Sequence, residues 1–113
     1  MHELGIMLQT VKTIDDALSE QDYKELLSIT LQVGEMTDVV PEFLKNAWES
    51  IRPNSDYPNA ELIIEPVPAV AKCLDCGYTD NIKSFGFECP DCHSSRLKII
   101  SGKELTIKQL EIK

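Results

Sequence analysis

Two Cys-x-x-Cys pairs, Cys73-Leu74-Asp75-Cys76 and Cys89-Pro90-Asp91-Cys92, hold all four cysteines of the chain, with twelve residues between them. A two-residue gap lets both thiolates of a pair point at one ion from a tight turn. Two such turns facing each other supply four soft ligands for a tetrahedral zinc ion. The segment between them contains Phe85-Gly86-Phe87-Glu88, an apolar stretch able to carry the chain back to the second turn. Gly77 after the first pair and Pro90 inside the second suit turns that aim N–H groups at sulfur. The rival readings are two disulfides or a redox Cys-x-x-Cys. No apolar leader directs the chain to an oxidising compartment, and Gly77 with Tyr78-Thr79-Asp80-Asn81 reads as turn rather than as the helix start a redox pair needs. A structural zinc with every position closed by sulfur, in a cytoplasmic protein, is the expectation.

The chain of 113 residues is 42% hydrophobic, enough for one compact core plus a metal-stabilised appendage. Its net charge is -8, from 11 basic and 19 acidic residues, and a zinc held by four thiolates adds about -2 more. A nucleic-acid surface needs clustered lysine and arginine to displace counterions from phosphate, so nucleic acid is not an expected partner. No apolar run is long enough to span a membrane. A zinc closed by thiolates activates no water, and neither histidine has a recognisable nucleophile to serve, so no enzymatic activity is expected.

Hydrophobic periodicity places Leu4, Met7, Leu8, Val11, Ile14 and Leu18 on one face of a helix over about residues 4–20. Leu27, Ile29, Leu31 and Val33 alternate with polar residues as a half-buried strand does, up to Gly34. Pro41 opens a second helix with Leu44, Ala47, Trp48 and Ile51 on its apolar stripe, and Pro53 stops it. Leu62-Ile63-Ile64 and Leu97-Lys98-Ile99-Ile100 read as strands. Leu105, Ile107, Leu110 and Ile112 give a last strand whose phase slips at Lys108-Gln109, as a bulge would make it. The fold expected is α+β: two helices packed on a small β-sheet, with an inserted zinc-ribbon lobe. The first lobe takes residues 1–70 plus 101–113, and the ribbon takes 71–100.

Met1-His2-Glu3 offers a second metal site. The α-amine, the amide nitrogen between residues 1 and 2, and the His2 imidazole can close adjacent chelate rings around one ion. Such nitrogen-rich planar coordination suits Ni(II) or Cu(II) better than zinc. The bulk of His2 is expected to keep the initiator methionine in place.

Met1-His2-Glu3 with its following amphipathic helix, then Val33-Gly34-Glu35, then the two cysteine pairs resemble the HypA/HybF family of hydrogenase maturation factors over essentially the whole length. The resemblance implies a nickel metallochaperone that delivers Ni(II) during assembly of [NiFe]-hydrogenase. Nickel would be held by Met1 through its amine, His2 and Glu3, and structural zinc by Cys73, Cys76, Cys89 and Cys92. The implied partners are a nickel-binding GTPase of the same maturation pathway and the hydrogenase large subunit. Some members carry a histidine after each cysteine pair, whereas this chain has Gly77 after the first and His93 after the second. His93 is read as an exposed turn residue, and Glu35 and Asp38 as weaker ligand candidates than Glu3. The alternative function is a zinc-ribbon adaptor that binds protein or nucleic acid without nickel.

Overall fold

The computed structural model describes residues 3–113. Helix α1 covers Glu3–Leu18, β1 Leu26–Gly34, α2 Pro41–Ile51, β2 Glu61–Val67, β3 Val70–Cys73, β4 Thr79–Asn81, β5 Leu97–Ser101 and β6 Leu105–Ile112, with short 3-10 turns at Glu35–Thr37, Arg52–Asn54 and Ile82–Ser84. The strands form two three-stranded sheets, ordered β2-β1-β6 and β4-β3-β5. The last strand therefore joins the sheet of the first, as its position after the cysteine segment implies.

The chain divides into two compact units. One consists of the segment through Leu31, Val39–Glu65 and Thr106–Lys113. Its core is Met7, Ile14, Leu18, Leu26, Ile29, Leu31, Leu44 and Trp48. Trp48 lies almost wholly out of solvent, and its indole N–H donates to the Ala60 carbonyl at 2.9 Å, so the one polar atom on this large side chain is not orphaned. Helix α1 faces this core through Glu3, Met7, Thr10, Ile14 and Leu18. The expected stripe is rotated, because Leu4 and Leu8 stand 51% and 55% exposed. Two polar residues hold the buried positions instead. Thr10 turns its hydroxyl back onto the Ile6 carbonyl at 2.8 Å, and the Glu3 carboxylate accepts from the Val40 N–H at 3.4 Å, so neither is buried without a partner.

The second unit takes in Gln32–Asp38 and Pro66–Leu105, where the sequence alone drew 71–100. It holds a buried cluster of Ala71, Cys73, Phe85 and Cys89, with Tyr78, Ile82, Leu97 and Ile99 packed around them. Tyr78 meets Phe85 edge to face, ring centroids 5.6 Å apart. Tyr78-Thr79-Asp80-Asn81 is not a plain turn. Thr79–Asn81 pairs antiparallel with β3, and the Asn81 side chain accepts from the Lys83 N–H to start the following 3-10 turn. Within this unit the backbone crosses itself at two glycines. A Cβ on Gly34 would lie 2.2 Å from the Gly102 carbonyl oxygen, and one on Gly102, whose φ is +85°, would lie 2.4 Å from the Ala69 Cα. Both positions require glycine.

Candidate metal centre

The two cysteine turns are built alike. In the first, the Gly77 N–H donates to the Cys73 carbonyl at 3.0 Å and the Cys73 N–H to the Tyr78 carbonyl at 2.8 Å. In the second, the His93 N–H donates to the Cys89 carbonyl and the Cys89 N–H to the Ser94 carbonyl, both at 2.8 Å. Closing such a turn puts the residue after each pair in the left-handed region, Gly77 at φ +83° and His93 at φ +65°. Glycine enters it freely, whereas the histidine is strained. The first cysteine of each pair is buried and the second exposed.

The four sulfurs come together, with all ligand atoms within 4.8 Å of one another. Cys73 Sγ stands 3.5 Å from Cys92 Sγ, and Cys76 Sγ 3.6 Å from Cys89 Sγ. A tetrahedron with zinc–sulfur arms of about 2.3 Å has edges of about 3.8 Å, so this donor set fits zinc in both chemistry and span. The Asp91 N–H points at Cys89 Sγ from 3.4 Å, a donor suited to a thiolate. Charge within the cluster is uneven. The N–H of Cys76 bonds Cys73 and, against burial, draws its thiol down to about 6. Cys76 receives the Tyr78 N–H, which pulls it down, yet burial and the three neighbouring thiols push it up to about 12. Four thiols sharing one small space cannot all ionise without a cation among them, which is the electrostatic requirement a zinc ion meets.

Around the sulfurs, Asp75 ties one turn to the other. It accepts from the Ser94 hydroxyl and from Arg96 Nη1 at 2.5 Å, and its carboxyl is held below the ordinary range first by Ser94 and then by Arg96. His93 is exposed, with Nδ1 3.2 Å from Glu88 Oε1. That placement agrees with its reading as a turn residue.

Of the nickel candidates, Met1 and His2 lie outside the described residues. Glu3 begins α1, and its carboxylate reaches the N–H of Val40, the residue that caps the start of α2. Glu35 is elsewhere engaged. Its carboxylate accepts from the Ala69 N–H at 2.8 Å and Asn81 Nδ2 at 3.1 Å and pairs with Lys83 at 3.0 Å, contacts that hold its pKa down at about 2. Asp38 is exposed and does not start α2. It closes the preceding 3-10 turn with a left-handed backbone, and Val40 occupies the cap position two residues later.

A family model described as hydrogenase/urease nickel incorporation, metallochaperone, hypA matches residues 1–112. The chain belongs to this family. It is 36% identical over 112 residues to the hydrogenase maturation factor HypA of Picosynechococcus sp., covering 99% of both chains. It is 38% identical over 115 residues to that of Desulfatibacillum aliphaticivorans, covering 99% of this chain and 87% of that one. The solution structure of the nickel metallochaperone HypA from Helicobacter pylori superposes with a TM-score of 0.72 over 99% of this chain and 97% of that one. At 21% identity that likeness establishes the shared fold.

Asp75, Ser94 and Arg96 are the residues of this HypA-family chain that sequence reasoning did not select. Asp75 sits inside a Cys-x-x-Cys pair, but its partners are 19 and 21 residues away, so spacing carries no sign of them. Glu35 was singled out through Val33-Gly34-Glu35, and its engagement with Ala69 appears only in the folded chain.

Proposed function

We propose that this chain is a nickel metallochaperone that holds Ni(II) at Met1, through its amine, His2 and Glu3, and delivers it during maturation of [NiFe]-hydrogenase. The observation that carries the reading is the family match over residues 1–112, in which the Met1-His2-Glu3 segment is included. Urease falls within the same family description. On this reading the unit containing α1 and α2 receives nickel, while Cys73, Cys76, Cys89 and Cys92 hold a zinc ion that supplies cross-links and no chemistry. The bond from Val40 supports a positioning role for Glu3: with its carboxylate engaged at the start of α2, Glu3 contributes to nickel through its backbone or by orienting His2. Few terminal ligands make nickel easy to surrender by ligand exchange. The protein is not an enzyme, works in the cytoplasm, and hands nickel on among a nickel-binding GTPase and the hydrogenase large subunit. No helix among the described residues is long and apolar enough to cross a bilayer.

Calorimetry on the untagged protein, His2→Ala and a form extended ahead of Met1 tests the site. Both changes are expected to abolish nickel binding and leave zinc content unchanged, since one removes the imidazole and the other turns the amine into an amide. Nickel binding in the untagged protein is expected to weaken as pH falls through about 6.5, where protons compete for imidazole. Equal nickel affinity in all three forms overturns the assignment.

A further inference from the structure

The exposed face of the β4-β3-β5 sheet carries a pair of like charges in direct opposition. Lys72 on β3 is the register partner of Lys98 on β5, and residues directly opposite in an antiparallel ladder share one face with Cβ atoms about 5 Å apart. Both lysines are exposed, and among the described residues neither forms an ion pair or hydrogen bond through its ammonium. Directly opposed like charges destabilise a ladder. In a chain with 19 acidic residues to draw on, this pair has been left without a carboxylate. Ile100, 49% exposed, stands at the register shift between the pairs Ala71↔Ile99 and Val70↔Ser101, where the strand alternation is interrupted. The alternating partners Ala71, Cys73, Leu97 and Ile99 turn the other way, into the core around the cysteines. Finally, among the described residues β5 is an outer strand of its sheet with β3 as its strand neighbour, so one row of its N–H and C=O groups faces no other strand.

A lysine on an edge strand is a common guard against unwanted pairing, and Lys98 alone would need no other explanation. Lys72 does. It lies on the central strand, where it guards no edge and only adds repulsion. We propose that this face and the free edge of β5 bind an extended acidic segment of a partner protein by strand addition, its backbone pairing with β5 and its carboxylates reaching Lys98 and Lys72. A nucleic acid is disfavoured, since it has no peptide backbone to pair with the edge of β5, and two lysines displace few counterions from a phosphate polymer. A second copy paired through β5 would bring more lysines onto the same face.

The test uses the full-length zinc-loaded protein and three probes: a short peptide of alternating valine and glutamate, its glutamine counterpart, and a single-stranded oligonucleotide of equal charge. Amide chemical shifts are followed in wild type, Lys72→Gln, Lys98→Gln and the double variant. The glutamate peptide is expected to bind saturably, with the largest shifts in 97–101 and 70–73. Each single variant is expected to weaken it about two- to fivefold and the double variant about tenfold. The same variants are expected to raise the unfolding midpoint by relieving the repulsion, which separates lost binding from lost folding. Equal binding of the two peptides, preference for the oligonucleotide, unchanged affinity in the variants, no shift along β5 at millimolar peptide, or self-association that Lys98→Gln dissolves would each overturn the proposal.

Discussion

Single residues here do work that their chemical type alone does not advertise. The Glu35 carboxylate, with Ala69, Lys83 and Asn81 around it, has its pKa lowered from 4.5 to about 2. A group whose pKa is depressed by folding stabilises the folded state above its unfolded pKa and loses that contribution as pH falls toward the folded one. Stability of the cysteine-bearing unit is therefore expected to decline between about pH 4.5 and 2 partly through Glu35. In Glu35→Gln that part of the acid limb should flatten, as read by tryptophan-independent circular dichroism melts across the same range. His93 carries strain of another kind. Its φ of +65° is the conformation glycine supplies at Gly77 in the matching turn. His93→Gly is expected to stabilise the unit by about 1 kcal/mol and to leave zinc stoichiometry unchanged, checked by thermal melts and metal analysis. A loss of zinc in that variant would mean that the imidazole takes part in the site.

Elements are placed by patterns that side chains with two natures can disguise. Helix α1 offers apolar residues all along Leu4, Met7, Leu8, Val11, Ile14 and Leu18, yet it buries the stripe containing Glu3 and Thr10 and leaves Leu4 and Leu8 outside. A count of apolar positions misses this because a threonine bonded to its own helix and a glutamate bonded to another helix's start lose little on burial. The strand-to-turn passage at Gly34 is tighter still. The Gly34 N–H donates to the Glu104 carbonyl at 2.9 Å and the Met36 N–H to the Gly102 carbonyl at 2.8 Å, so backbone meets backbone with no room for a side chain. Gly34→Ala places a carbon 2.2 Å from the Gly102 oxygen and is expected to cost about 3 kcal/mol or more. Chemical denaturation checks it, and a loss under 1 kcal/mol would show that the crossing relaxes easily.

At the scale of the molecule, the two units draw on different sources of stability. The first has a conventional apolar core with Trp48, Leu44, Ile29 and Leu31 fully or nearly fully buried. The second is short, and in the buried cluster of Ala71, Cys73, Phe85 and Cys89 two of the four residues are metal-site cysteines. A cluster that is half sulfur ligand depends on the ion those sulfurs hold. Cys73→Ser is expected to lose zinc and the amide dispersion of 70–101 while Trp48 keeps its native fluorescence. Retention of one zinc per chain with an ordered β3-β5 ladder would contradict that dependence.

The sequence by itself determined the fold class, the four cysteines that converge and the family, because each rests on local information. Cysteine spacing is set by the reach of a tight turn, helix and strand by a short hydrophobic period, and family by motifs in order along the chain. The tertiary structure alone decided what the acidic residues do. Glu3, Glu35, Asp38 and Asp75 look interchangeable as letters. One bonds the start of α2, one secures Ala69 and Lys83, one closes a turn, and one joins the two cysteine turns. The same holds for the lysines at 72 and 98, 26 residues apart along the chain and face to face across a ladder. A carboxylate or ammonium acts through whatever lies within about 3–4 Å of it, and only the folding of distant segments onto one another sets that neighbourhood.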